Sequence, residues 1–553
     1  RRSKNDDQAV IDDFMRAEHD YHAIPMDYDF MSAVRTVQEH FRPSRVLHPI
    51  AFPDLRHYPA TLSVSAELPF TDPEFKFTPS DRDVDLETGQ PKVHVDGKKL
   101  RKFTRQTDVQ TYLIWKHKEG LIYDSAISYH NLYNEIFVYN RPLIHQIKHK
   151  MSPFWSQDGK PLTYMRLMLH MRSHVVAADE PDKIRAVFGA PKLLLHAELM
   201  FIWPLQATYL NTKKGRMLWG NEMNRAGWRK LFQEIHKNGK PNTILGVDWS
   251  QFDKRLLHQL IKIVHNIWRS YFDFSRYEPT SEYPYMQYDN TEKLTNLWTW
   301  MCNAITETPI QLPNGQVWKW NWNGFGSGFQ QTQLMDSFAN AIMIYTCLLS
   351  LGVNIHSEEF WARFQGDDSI IAFFERMYQL YGPGFLDQLE ASAKKYFNAK
   401  LNVKKSKIQE IASGMFVLGY FNQQGLAYRT DEDLLRHLFF PEKPQDLGRL
   451  AASAVGLASA SLGCSPRFYA LCRFIFEKLV EERNVKIKWK ALKWMVRAHM
   501  YETLDQLKTA EFPHLIDLQA RRFDMTNRTE EENQRQWPTR PGPRKKFYFL
   551  NPL

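Results

Sequence analysis

Cysteine is scarce. The four present, Cys302, Cys347, Cys464 and Cys472, stand at unrelated spacings. They make neither a disulfide framework nor a zinc pattern, and a reducing compartment is the default. Long apolar runs are missing as well. The most apolar stretch, Leu193 to Leu205, contains His196 and Glu198 and is too short to span a bilayer. No secretory signal opens the chain, which predicts no membrane partner. It begins Arg1-Arg2-Ser3 without methionine, so we expect further residues before it. There is no internal repeat and no low-complexity linker between autonomous domains.

What is present is basic, aromatic and long. The 553 residues carry a net charge of +10, 16 Trp and 14% aromatic side chains. The sequence pI is about 9.1. A basic surface with many rings that can stack fits a nucleic-acid partner. At 43% hydrophobic and 24% charged residues the chain is globular, and its length predicts several subdomains.

The stretch Glu358 to Glu375, EEFWARFQGDDSIIAFFE, organises the rest. Two short β-prone runs flank Gly366-Asp367-Asp368-Ser369, which reads as a hairpin with two carboxylates at its tip. Like charges this close repel unless a cation sits with them. A divalent ion is the simplest partner, and oxygen ligands favour Mg²⁺ or Mn²⁺. An exposed Asp-Gly turn would show the same letters.

Other pieces are weak singly. DKIRAVFGAPK, Asp182 to Lys192, reads as a strand with Lys183 and Arg185 on a basic edge, suited to a triphosphate or to solvent. TILGVDW, Thr243 to Trp249, is a strand ending in Asp248; Ser250 would then cap a helix running through Leu256 to Ile267, with Asp253 in its first turn. Gly324, Gly326 and Gly328 make a loop ahead of a helix expected from about Gln330 to Leu351. That loop lacks GK[ST] and has the wrong spacing for a dinucleotide fingerprint, yet Ser327 and Thr332 can face a sugar or phosphate. Phe385 to Phe397 is an amphipathic helix, followed by a loop with Lys400, Lys404, Lys405 and Lys407. GMFVLGYF, Gly414 to Phe421, reads as a strand with a turn after it. The remainder is mainly helical, with a basic amphipathic stretch from Leu479 to Met500. Thr111 to Met151 mixes helix-like and strand-like pieces, and Phe70 to Asp96 is loop-like. The charge run Gly97 to Lys102 reads as a solvated face, and the tail RPGPRKKFYFLNPL as extended chain. His170 and His174 have the spacing of a helical metal pair, but no Glu follows the first.

The order of these pieces resembles the fingers and palm motifs of viral RNA-dependent RNA polymerases. Asp248 and Asp253 match the first palm motif. Ser327, Gly328, Thr332 and Asn340 match the second, and Gly366-Asp367-Asp368 the third. Lys405-Ser406 stands where the fourth carries its lysine, GMFVLGYF looks like the primer-grip hairpin, and Lys183 and Arg185 match the basic fingers motif. APKLLLHAELMFIWPL, VDWSQFDKR, SGFQQTQLMDSFAN and QGDDS look like the partitivirus enzymes, with picobirnavirus enzymes nearest after them. Many related enzymes carry Asn four residues after the Thr; here that residue is Asp336. Whether Asp336 or Asn340 reads the ribose is open at this point.

The resemblance implies an α+β right hand of fingers, palm and thumb, with an antiparallel palm sheet and a closed fingers–thumb ring. It divides the chain into an N-terminal extension and fingers (1–204), palm (205–265), a fingers insertion (266–323), palm (324–425), and thumb with tail (426–553). It implies RNA-directed RNA synthesis for a double-stranded RNA virus, inside the virion in the host cytoplasm. Its partners are single- and double-stranded RNA, nucleoside triphosphates and a capsid protein. It implies two Mg²⁺ ions (Mn²⁺ as the substitute) on Asp248, Asp367 and Asp368. Triphosphate contacts fall to Lys183 and Arg185, and ribose contacts to Asp253 with Ser327 or Thr332 and Asn340. Lys405 becomes the general acid, with Lys404 and Lys407 as competitors. Reverse transcriptases share the layout but place a bulky aromatic where Asp253 stands. A non-catalytic RNA-packaging protein is the other alternative.

Overall fold

A computed structural model describes residues 1–16, 18–79, 105–163, 165–211, 216–279, 290–443, 445–498, 500–527 and 529. The charge run at 97–102 and the tail at 540–553 lie outside the described residues. In chain order the strands are β1 (Lys76–Phe77), β2 (Thr107–Asp108), β3 (Leu167–Ser173), β4 (Ile184–Gly189), β5 (Thr243–Val247), β6 (Ile310–Gln311), β7 (Val317–Trp318), β8 (Trp361–Gln365), β9 (Asp368–Phe373), β10 (Lys407–Gln409), β11 (Phe416–Val417), β12 (Tyr420–Gln423) and β13 (Leu426–Tyr428). The fold is mixed, with many helices around short sheets.

The central sheet has the order β10-β5-β9-β8 and is antiparallel throughout. It is covered on both faces because its strands alternate two apolar sets. Leu245, Val247, Ile371, Phe373 and Phe364 face the main core. Ile244, Ile370 and Ala372 face a second cluster with Trp228, Leu231, Met415 and Val417. The helix Thr332–Ser350 lies against the first face. Its sequence has no Gly or Pro, and every residue from Leu334 to Leu348 is buried, as expected of a helix apolar all round. A second sheet, β4-β3-β6-β7, carries the basic strand at its edge. Helices from Asp431 onward close around a core of their own.

The buried Glu198 anchors the start of the helix Thr332–Ser350. It sits on the helix Lys192–Asn211 and accepts hydrogen bonds from the backbone N–H of Gln330 (3.1 Å) and Gln331 (3.3 Å) and from Gln331 Nε2 (2.8 Å). Burial nevertheless pushes its carboxyl up to about 7 from 4.5. The folded protein therefore keeps this proton to higher pH than the unfolded chain. The associated stability is present below pH 4.5 and lost as pH rises through about 7. That shift corresponds to about 3 kcal/mol at most. Glu198→Gln should remove the loss, so its melting temperature relative to the parent should rise between pH 5 and pH 8 in thermal melts. A constant difference across that range would count against the assignment.

Several expectations are corrected. Ser250 caps nothing: the N-cap is Gln251, at φ +57°, and Phe252–Arg255 is one helical turn. A second helix, His258–Arg269, follows a break at Leu256. The break arises because the chain there hydrogen-bonds the glycine loop instead of itself: Gly324 N–H to Leu256 O (2.9 Å) and His258 N–H to Trp322 O (2.8 Å). His170 belongs to β3, not to a helix, and pairs with Glu67 at 3.3 Å. GMFVLGYF is itself a hairpin, β11 and β12, because Leu418 (φ +53°) and Gly419 (φ +79°) form a tight turn. Leu479 to Met500 is not one helix; it breaks into a π turn, a 3₁₀ turn and the short helix Lys493–Arg497. Thr111 to Met151 holds the helices Val109–Lys118 and Tyr133–Lys148 joined by irregular chain. The expected helices Thr332–Ser350 and Phe385–Phe397 are present.

Candidate active site

The hairpin β8–β9 pairs Gln365 with Asp368, leaving Gly366 and Asp367 as a two-residue turn. Gly366 has φ +61°, which a side chain would strain. The helix Thr332–Ser350 grips this glycine from both sides. Gly366 N–H donates to Ser337 Oγ (2.8 Å), and Asn340 Nδ2 donates to Gly366 O (3.0 Å). Sequence reasoning did not find Ser337; its only signal was its place between Asp336 and Asn340 on one helix.

Antiparallel pairing of Val247 with Ser369 brings Asp248, the next residue, opposite Asp368. The loop after Leu401 pins it there. Asp248 N–H donates to Ser406 Oγ (3.0 Å), and Asn402 N–H donates to Asp248 O (2.8 Å). Burial raises the Asp368 carboxyl to about 6, and Asp367 and Asp248 push it further in that direction; the N–H of Leu418 and the charge of Lys405 oppose them. Asp367 is raised by burial and by Asp248. Three acids repel one another across one strand pair, as carboxylates do where a cation belongs. Among the described residues no three acid, histidine or cysteine side chains stand close enough together to hold a metal ion as they are.

Of the three candidate lysines, Lys405 is the one at the acids: its Nζ is 4.0 Å from Asp248 Oδ2. Lys407 is turned to the hairpin, donating to Gly414 O (3.0 Å) over the ring of Phe421.

Asp253 and Asp336 stand side chain to side chain, close enough that a shared proton would join the two carboxyls. Burial raises Asp253 to about 6 and holds Asp336 well above the usual range. Asp336 Oδ1 is buried and without a hydrogen-bond partner. Asn340 is fully buried and committed at both ends, its Oδ1 accepting from Trp249 Nε1 (2.8 Å) while its Nδ2 holds Gly366. Its amide is thus engaged under the turn, while Asp336 lies beside Asp253.

Arg185 lies close enough to oppose the shifts of both Asp253 and Asp367, and Lys183 feels both Arg185 and Lys405. The basic strand thus faces the acids. Ser327 is exposed on its loop. Thr332 Oγ1 donates within that loop, to the carbonyls of Gly326 and Phe329, both at 2.9 Å. Gly328 abuts the basic strand: a Cβ there would stand 1.7 Å from the carbonyl oxygen of Phe188.

Residues 141–458 match the family model described as viral RNA-dependent RNA polymerase. The chain belongs to this family. It is an RNA-directed RNA polymerase of viral origin, an enzyme that binds RNA and nucleoside triphosphates. The RNA-directed RNA polymerase of White clover cryptic virus 1 is 26% identical over 555 residues, covering 97% of this chain and 87% of that protein. The corresponding enzyme of Atkinsonella hypoxylon virus is 26% identical over 381 residues, covering 62% and 56%. These matches bear out the resemblance drawn from the motifs. Polymerases of the family use divalent metal ions. No helix among the described residues of the polymerase is long and apolar enough to cross a membrane.

Proposed function

We propose that this polymerase replicates and transcribes a double-stranded RNA genome by template-directed nucleotidyl transfer assisted by two Mg²⁺ ions. The observation that carries the reading is the placement of Asp248 opposite Asp368, with Asp367 at the adjoining turn. Asp248 and Asp367 would hold the ions, with Asp368 a weaker or outer ligand. When bound, such ions activate the RNA 3′-hydroxyl and neutralise the triphosphate. The hydroxyl oxygen attacks the α-phosphorus, and the bond to pyrophosphate breaks. Lys183 and Arg185 receive the triphosphate charge as it moves onto the leaving group. Asp253 and Asp336 read the ribose, with Ser327 at the mouth of the same loop.

Lys405 protonates the pyrophosphate as it departs; its position beside Asp248 favours it over Lys404 and Lys407. Lys405→Ala should slow single-turnover incorporation by about a hundredfold, with Lys404→Ala near the parent rate. No slow variant among the three lysines would remove the general acid.

Contacts made by the second sheet and by the N-terminal residues with the link after the helix Asp431–Phe439 support a closed ring of fingers and thumb. Arg172 Nε pairs with Glu442 Oε1 at 2.6 Å, and Arg2 donates to Phe440 O at 2.5 Å. Residence in the virion and a capsid partner rest on the resemblance alone. Labelled-nucleotide incorporation on single-stranded RNA, with and without Mg²⁺ and primer, tests the proposal. A packaging protein would instead bind RNA in a salt-sensitive way with no Mg²⁺-dependent synthesis.

A further inference from the structure

We infer that Asp13, on the first helix Asp7–Met15, is a positioning residue for nucleotide binding, fixing the strand that carries Arg185 to the turn that carries Asp253. The inference rests on the reading of Arg185 and Asp253 given above.

β4 ends its sheet, so among the described residues one edge of it has no strand partner. The N–H of Ala186, next to Arg185, is met there by Asp13 Oδ2 at 2.8 Å. The same oxygen stands 2.5 Å from Lys254 Nζ, which also donates to the backbone carbonyl of Asp13 at 2.9 Å. Lys254 directly follows Asp253, and its own carbonyl accepts from Asn323 Nδ2 at 2.8 Å. Asp13 is 7% exposed. One buried carboxylate thus joins two elements distant in sequence, both aimed at the nucleotide.

Packing alone does not call for a charge here. Val10, Ile11 and Phe14 already bury the helix, Phe14 against Phe188 and Trp320 at ring distances of 6.2 and 6.3 Å. A charge is called for by the cations. Arg16 and Arg185 both repel the Lys254 ammonium, and Asp13 is the acid set against them. Without it, two cations from the two elements would face each other across the gap, in a setting where an unpaired buried charge is costly.

Two substitutions separate the contacts. Asp13→Asn keeps an acceptor for Ala186 N–H and loses the charge on Lys254; Asp13→Ala loses both. Asp13→Ala should raise the KM for nucleoside triphosphates by about tenfold with kcat changed by less than about threefold, since small displacements remote from the chemistry act through placement. Asp13→Asn should weaken the preference for ribo- over deoxynucleotides several-fold with KM near the parent value. RNA affinity should be unchanged in both. The KM of Asp13→Ala with Arg185→Ala should not exceed that of Arg185→Ala alone, because Asp13 acts through that strand. A merely structural role would lower the melting temperature and the active fraction but leave KM and sugar preference alone. Folded variants with parental KM and parental preference would overturn the inference. A parental KM in Arg185→Ala would instead remove the triphosphate reading, and the strand half of the inference with it; the Asp13→Asn sugar preference still decides the other half.

Discussion

Asp367→Asn is expected to lower nucleotide incorporation by roughly a thousandfold or more while RNA affinity stays within about twofold, because a charge lost from a transition-state cradle costs rate rather than ground-state binding. The amide has nearly the shape of the acid, so the two-residue turn and the grip of Ser337 and Asn340 on Gly366 should persist. What goes is a negative charge where metal and triphosphate charges must be balanced. The repulsion that raises Asp367 and Asp368 should ease as well, so the melting temperature of the metal-free variant should not fall. Filter binding to RNA and gel-resolved extension on the same preparation separate the two effects. Incorporation at the parent rate would end the catalytic assignment of this turn.

Asp336→Ala should collapse the preference for ribonucleotides, by roughly two to three orders of magnitude, since a site built to hydrogen-bond a hydroxyl rejects the analogue lacking it far more strongly than an apolar pocket can. Asp253 would lose its neighbouring carboxyl and be left with the repulsion of Asp367. Asp336→Asn supplies an amide hydrogen in place of a shared proton and should keep most of the preference. Asp253→Ala should behave like Asp336→Ala. Competition between ribo- and deoxynucleotides at one template position measures all three. Full preference in Asp253→Ala or Asp336→Ala would show that the sugar is read elsewhere.

The elements holding these acids were legible because their signals are local. WARFQ and DSIIAF are β-prone runs on either side of a two-residue turn, and TILGV is a buried run closed by Asp248. The contacts that fix them were not. Ser337 reaches Gly366 across 29 positions, and Ser406 reaches Asp248 across 158. Nothing in either neighbourhood marks the partner. The reading of one long helix after Ser250 failed for the opposite reason. The apolar spacing is truly helical on both sides of Leu256, but hydrogen bonds from the glycine loop outcompete one turn of helix. Asp336 drew notice only as a departure from a pattern, and its partner became clear once Asn340 proved fully committed. Asp13 gave no signal at all, being one of several acids in a short amphipathic helix.

At Gly328 the glycine loop and the basic strand meet main chain to main chain, with no side chain between them to act as a cushion. Elements in such contact cannot slide past each other without one of them giving way. Any shift of the loop must therefore carry the end of β4 along, so on the proposed reading the groups offered to sugar and to triphosphate would move together. Even a methyl group at this position would wedge the two apart.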